Sequence, residues 1–218
     1  MSWEDLHFDS TVVDLHSHPS LKATVFHRNI GSSKSKFIAK FFKEKFWPFS
    51  DRVTFPKMEK GGVDVLLSTA YVLEQGWIND ISLIKFLLWL TPSVHKKIVA
   101  PTYFDATNGM LDEMENQISS YNTDRDEEAR HATLATDREE LAEAIAAGDM
   151  CVIHSIEGAH SLQGNEAGKI MSDEIMSDPE AIEEEVMKNL DHFFNRGVAY
   201  LGLAHFYPNC CGSPVFPY

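Results

Sequence analysis

With 218 residues, 44% of them hydrophobic and 24% charged, the chain has the length and composition of a globular protein with a sizeable core. Its net charge of −14 argues against a nucleic-acid backbone as the main partner, because such sites need concentrated Lys and Arg. Three cysteines, two of them adjacent at Cys210-Cys211, form no disulfide framework, so a reducing, cytoplasmic setting is the simplest expectation.

The opening MSWEDLHFDS carries acids where a signal peptide has a basic start and an apolar stretch. Val12-Val13 reads as a short strand that runs into Asp14-Leu15-His16-Ser17-His18. Two histidines two apart at a strand's end point to one side. Their imidazoles can converge on one ion, and imidazole suits zinc and its borderline neighbours. An exposed polar pair in a loop is the plainer alternative. Lys34 to Trp47 mixes five lysines with Phe37, Phe41, Phe42, Phe46 and Trp47. It is expected to pack its aromatic face on the domain or to shield a cleft, ahead of lying on a membrane surface.

Three stretches then repeat one order: helix, glycine, apolar strand, polar residue. In the first, Phe55 to Lys60 stops at Gly61-Gly62 and a strand runs from Val63 to Val72. Ile81 to Leu90 reads as a buried or cleft-capping helix, and with Lys85 inside it is too short to span a bilayer. Asp124 to Arg130 is a charge run expected on a solvated face. In the second, Thr136-Asp137-Arg138-Glu139 reads as a capping box opening a helix through Ala147, with Gly148 just past its end. The strand Cys151–Ile156 follows and ends on Glu157-Gly158. In the third, Asp178 caps a helix with Pro179 in its first turn. Ile182, Val186, Met187, Leu190, Phe193 and Phe194 recur at helical spacing, Gly197 ends the helix, and the strand Val198–Ala204 ends on His205.

Four strands alternating with helices predict an α/β fold with a parallel sheet. Polar residues at strand carboxyl ends fit the rim of a (β/α)₈ barrel or the ligand edge of a doubly wound sheet. The absence of a Gly-rich phosphate loop after any strand makes a nucleotide fold the weaker choice. His16, His18, Glu157 and His205 would then share one mouth, where a carboxylate can bridge two metals that activate a shared water. Taken singly, Glu157 reads as a surface or capping acid and His205 as a core histidine.

Four segments carry a family resemblance: VVDLHSH at 12–18, FPKMEKGGVDVLLSTAYV at 55–72, Asp137 through VIHSIEGAHSL to Leu162, and LDHFFNRGVAYLGLAHFYPN at 190–209. In order and spacing they resemble the membrane (renal) dipeptidase family, a branch of the amidohydrolase superfamily. The resemblance implies a zinc-dependent (β/α)₈ barrel that hydrolyses dipeptides, with residues 1–218 forming a single domain equivalent to about the first four β/α units. It implies that His16 and His18 are metal ligands and that Glu157 bridges two zinc ions. It makes His205 the residue that binds substrate and polarises the scissile carbonyl. In that chemistry a metal-bridging hydroxide attacks the peptide carbonyl.

Two departures qualify the likeness. The first strand carries His-x-His where the family commonly has His-x-Asp, which removes one negative charge from the site. The family also draws two further histidines and a late aspartate from strands beyond the fourth, past Tyr218. The resemblance therefore implies completion by a carboxyl-terminal half or by another copy of the chain. Among the other histidines, His27, His95 and His131 lie outside strand ends and His192 lies on a helix. His154 should point away from Glu157's side, and His160 is expected to pack or to support the ligands. Two other readings stay open: a non-catalytic metal-binding or interaction module, and an amidohydrolase acting on another amide, an ester or a phosphate.

Overall fold

The computed structural model describes residues 1–32, 52–90, 92, 96, 102–164 and 179–215. The Lys34–Trp47 segment, His95 and the Asp178 cap fall outside them. In chain order the elements are α1 (Trp3–Phe8), β1 (Val13–Ser17), α2 (Pro19–Phe26), α3 (Phe55–Gly61), β2 (Val65–Ala70), α4 (Gln75–Asp80) and α5 (Ser82–Leu90). They continue with α6 (Tyr103–Asp124), β3 (Ala132–Leu134), α7 (Arg138–Ala147), β4 (Met150–Glu157), a short 3₁₀ turn (Ala159–Leu162), α8 (Pro179–Asn195) and β5 (Val198–Gly202).

All the strand pairings in the sheet are parallel. β1, β2, β4 and β5 lie side by side in chain order, and β3 lies out of order beyond β4. Four strands were expected, and the described residues form five. The fifth, β3, is three residues long, too short to stand out as an apolar run, and it pairs with Met150–Val152. β5 takes the rest of that edge of β4, along His154 to Glu157.

Alternation along β2 and β4 gives the sheet two faces. On one, Leu66, Met150 and Val152 pack against Phe55 and Met58 of α3 and Met114, Ile118 and Tyr121 of α6. Further along it, Ala70 and Ile156 meet Met110 and Leu111 of α6 and Phe193 of α8. On the other face, Val65 and Cys151 pack against Ala144 and Leu141 of α7. That helix covers only the amino-terminal end, which leaves the carboxyl ends of β1, β2 and β4 free to carry polar groups.

The helix starts and stops follow local chemistry, with one shift. Asp137, not Thr136, caps α7 by accepting from the Glu140 N–H, and Glu140 reaches back to the Thr136 N–H and hydroxyl. The cap is thus displaced by one residue, and the Glu140 carboxylate meets the residue before the cap and not the cap's own N–H. Gly197 ends α8 with φ +77, where an added Cβ would press on Thr136.

Two other expectations need correction. The run Asp124–Arg130 is not simply solvated. Arg130 turns inward, donating to the Asp64 carboxylate and to the Gly148 and Asp149 carbonyls, and so ties the start of β2 to the start of β4. Nor is the apolar helix α5 buried throughout: among its described side chains Leu88 is buried, while Phe86, Trp89 and Leu90 are exposed.

α8 also leaves part of its apolar stripe uncovered. Phe193 is 1% exposed, but Phe194 is 74% exposed. With Leu190, Tyr200 and Leu201 it lines an open apolar groove of about 450 Å³ between α8 and β5. Neighbouring phenylalanines thus make a sharp test of the packing. Phe193→Ala should lower unfolding free energy by about 3–5 kcal/mol, and Phe194→Ala by less than about 0.5 kcal/mol, in urea denaturation. Equal losses would contradict the described core.

Candidate metal centre

The site forms where β1, β2 and β4 end. Asp14 shapes the first segment by accepting from the His16 N–H and the Ser17 hydroxyl. The β1–β2 register shifts between Asp14 and Ser17, and His18 has already left the strand as the residue before α2. Three steps on β1 thus stand against two on β2, and this irregularity, beside which Asp14 is bonded, sets which face of the sheet the two histidines take. Their Nε2 atoms stand 3.1 Å apart.

Glu157, the last residue of β4, faces them. Its Oε1 is 3.4 Å from His16 Nε2 and its Oε2 is 3.3 Å from His18 Nε2. One ligand atom from each of the three residues lies within 4.8 Å of the others, so the group could hold a metal ion.

The surroundings suit ligation. His18 Nδ1 lies 3.1 Å from the Thr69 carbonyl at the end of β2. A carbonyl only accepts, so Nδ1 carries the proton, and in the neutral ring Nε2 keeps its lone pair for the centre. Burial lowers the His18 pKa, outweighing the opposite pull of Glu157, and so favours that neutral, ligating form. Thr69 is held in turn through a 2.8 Å hydroxyl contact with Ser155 on β4. Two imidazoles and a carboxylate form a donor set that fits a borderline divalent cation.

His205 joins the cluster from three residues beyond β5, with Nε2 3.4 Å from Glu157 Oε1. All four residues singled out from the sequence therefore meet at one end of the sheet. His154 does not: as expected it lies on the helix face, fully buried, with Nε2 3.2 Å from Glu115 on α6. His160 is also buried and bonds the Val72 carbonyl at 2.9 Å through Nε2, so it supports the floor of the site. His27 sits in a left-handed turn after α2, and His192 bonds Asn108.

Sequence reasoning missed Tyr71 and Glu74. Glu74 is 3% exposed and contacts His205 directly, while the Tyr71 ring lies between His18, His160 and His205. The signal lay in the segment after β2, the one strand in the repeated pattern to which no polar residue had been assigned.

No protein-family model and no curated protein matches this chain. Among the described residues, no helix is long and apolar enough to cross a membrane.

The buried histidines give the fold a pH dependence of defined sign. Burial holds His154 and His160 below the roughly 6.5 of an unfolded imidazole. The unfolded chain then binds more protons, and this stabilisation is lost as pH falls below that value. His154→Leu should therefore lose less stability than the wild type between pH 7.5 and 5.5, as read from urea midpoints. An equal or larger loss in the variant would contradict the assignment.

Proposed function

We propose that this chain carries the metal-binding and substrate-facing part of a zinc-dependent hydrolase of the dipeptidase kind. The observation that carries the reading is the convergence of His16, His18, Glu157 and His205 at the carboxyl ends of parallel strands. In (β/α)₈ enzymes that end bears the active site, with residues drawn from several strands.

His16, His18 and Glu157 would hold the ion, a two-imidazole, one-carboxylate set known for catalytic zinc. When bound there, zinc supplies a Lewis acid and lowers the pKa of water. The chain's own residues do the rest. Thr69 keeps the His18 ring in the ligating tautomer, Asp14 braces the irregular end of β1 that carries both histidines, and Glu157 turns one oxygen toward His16 and the other toward His18. His205 stands beside that carboxylate as the group that binds substrate.

A barrel built from more β/α units than those described is supported by the edges. Among the described residues, β1 and β5 each pair on one side only, and the α8–β5 groove is apolar and open. A further β/α unit, from the same polypeptide or from a second chain, would cover both features. The exchange of His-x-Asp for His-x-His keeps ligation possible while making the centre less negative, which favours neutral or anionic substrates over cationic ones.

Hydrolysis of a dipeptide panel that includes carboxyl-terminal D-residues tests the reading, using the zinc-loaded protein together with whatever chain completes it. Turnover should be zinc-dependent and fall at least about 100-fold in Glu157→Gln and in His205→Ala. Zinc-dependent turnover of a phosphate or carboxylic ester, with dipeptides untouched, would replace the dipeptidase assignment. Turnover unchanged in both variants would reject the site.

A further inference from the structure

His205 lies three residues beyond β5, outside any strand, and its surroundings explain how it keeps its place. The segment from Ala204 to Tyr207 is anchored on α4. Phe206 meets Trp77 edge to face, and the Tyr207 hydroxyl reaches Asp80 at 3.1 Å. Gly76 allows this approach, because a Cβ there would overlap the Tyr207 ring.

At the centre of this contact is the Glu74 carboxylate, whose two oxygens face different partners. Oε1 accepts the backbone N–H groups of Phe206 and Tyr207 at 3.2 and 3.0 Å. Oε2 accepts the Tyr71 hydroxyl at 3.1 Å and lies 3.3 Å from His205 Nδ1. Burial by itself would raise the Glu74 carboxyl, but the hydrogen bonds from His205 and from the Tyr207 backbone hold it below the usual range, in the form that only accepts.

We propose that Glu74 is the positioning residue of His205: it holds the proton on Nδ1 and so presents Nε2 to Glu157 and the mouth of the site. Glu157 lies on the other side of the ring and could compete for that proton. Glu74 prevails because its side chain is 4% exposed against 18% for Glu157, so an unmet oxygen costs more there. Glu157 also has the His16 and His18 rings within 3.4 Å. The assignment rests on the reading of His205 as a site residue, which sets why its orientation matters.

The geometry makes the outcome of a conservative change specific. In Glu74→Gln the two backbone N–H groups still require an acceptor, so the amide oxygen takes the Oε1 position. The NH₂ group must then occupy the Oε2 position, where it donates to His205 Nδ1 and forces the ring proton onto Nε2. Nitrogen-15 NMR of the imidazoles, in metal-free protein at about pH 9 where ordinary histidines are neutral, reads this directly. The wild type and Tyr71→Phe should both show His205 protonated at Nδ1, and Glu74→Gln should show it at Nε2. An Nε2-protonated His205 in the wild type, or an unchanged tautomer in folded Glu74→Gln, would overturn the proposal. If that variant does not fold, the wild-type and Tyr71→Phe tautomers decide alone. Neither metal nor substrate enters the measurement, so failure to hydrolyse dipeptides would leave the result standing.

Discussion

The parallel ladder between β2 and β4, from Val65↔Cys151 to Ala70↔Ile156, is the constraint on which the site depends. It sets Thr69 beside Ser155 on one face, and two residues further along that face it ends at Glu157. The Thr69 carbonyl orients His18 while Glu157 receives it, so one ladder supplies both the outer partner and the facing carboxylate. A slip of one residue would send Glu157 to the helix side, among the apolar groups around Ile156, and leave His18 without its acceptor. Arg130 reinforces the register at the other end by joining Asp64 to the Asp149 carbonyl.

Polar groups survive here because the two faces are filled differently. Met110, Met114 and Leu111 of α6 close the helix face along most of its length. α7 seals the opposite face only near Val65 and Cys151. The remaining end is neither open water nor dry core: His18 and Glu157 are part-buried, and Glu74 beneath His205 is buried. Such a setting strengthens the hydrogen bonds it holds.

Much of this was legible in the sequence for a physical reason. Apolar runs ending in a polar residue betray parallel strands, so β2, β4 and β5 and the position of Glu157 followed from pattern, whereas His205, expected at the end of β5, lies three residues beyond it. His154 and Glu157 were correctly separated because strand alternation is strict within β4. The convergence of His16 and His18 was anticipated, but not the register irregularity beside Asp14 that sets the face they take, which alternation does not encode. β3 escaped notice because three residues carry no period. Glu74 and Tyr71 escaped because their role depends on the packing of residues 205–207 against α4, more than 125 positions away in sequence. The exposure of Phe86 and Trp89 on α5, and of Phe194 on α8, was likewise invisible, since hydrophobicity states a preference for burial and not what provides it.

Zinc K-edge absorption of the zinc-loaded protein tests the centre most directly. The vicinal thiols of Cys210 and Cys211, with sulfurs 3.6 Å apart, are the competing ligands, although burial beside Cys211 pushes the Cys210 pKa up to about 12. Ligation by His16, His18 and Glu157 predicts a first shell of nitrogen and oxygen near about 2.0 Å with imidazole outer-shell scattering, lost in His16→Ala. A sulfur shell near about 2.3 Å, or a spectrum unchanged in that variant, would contradict it.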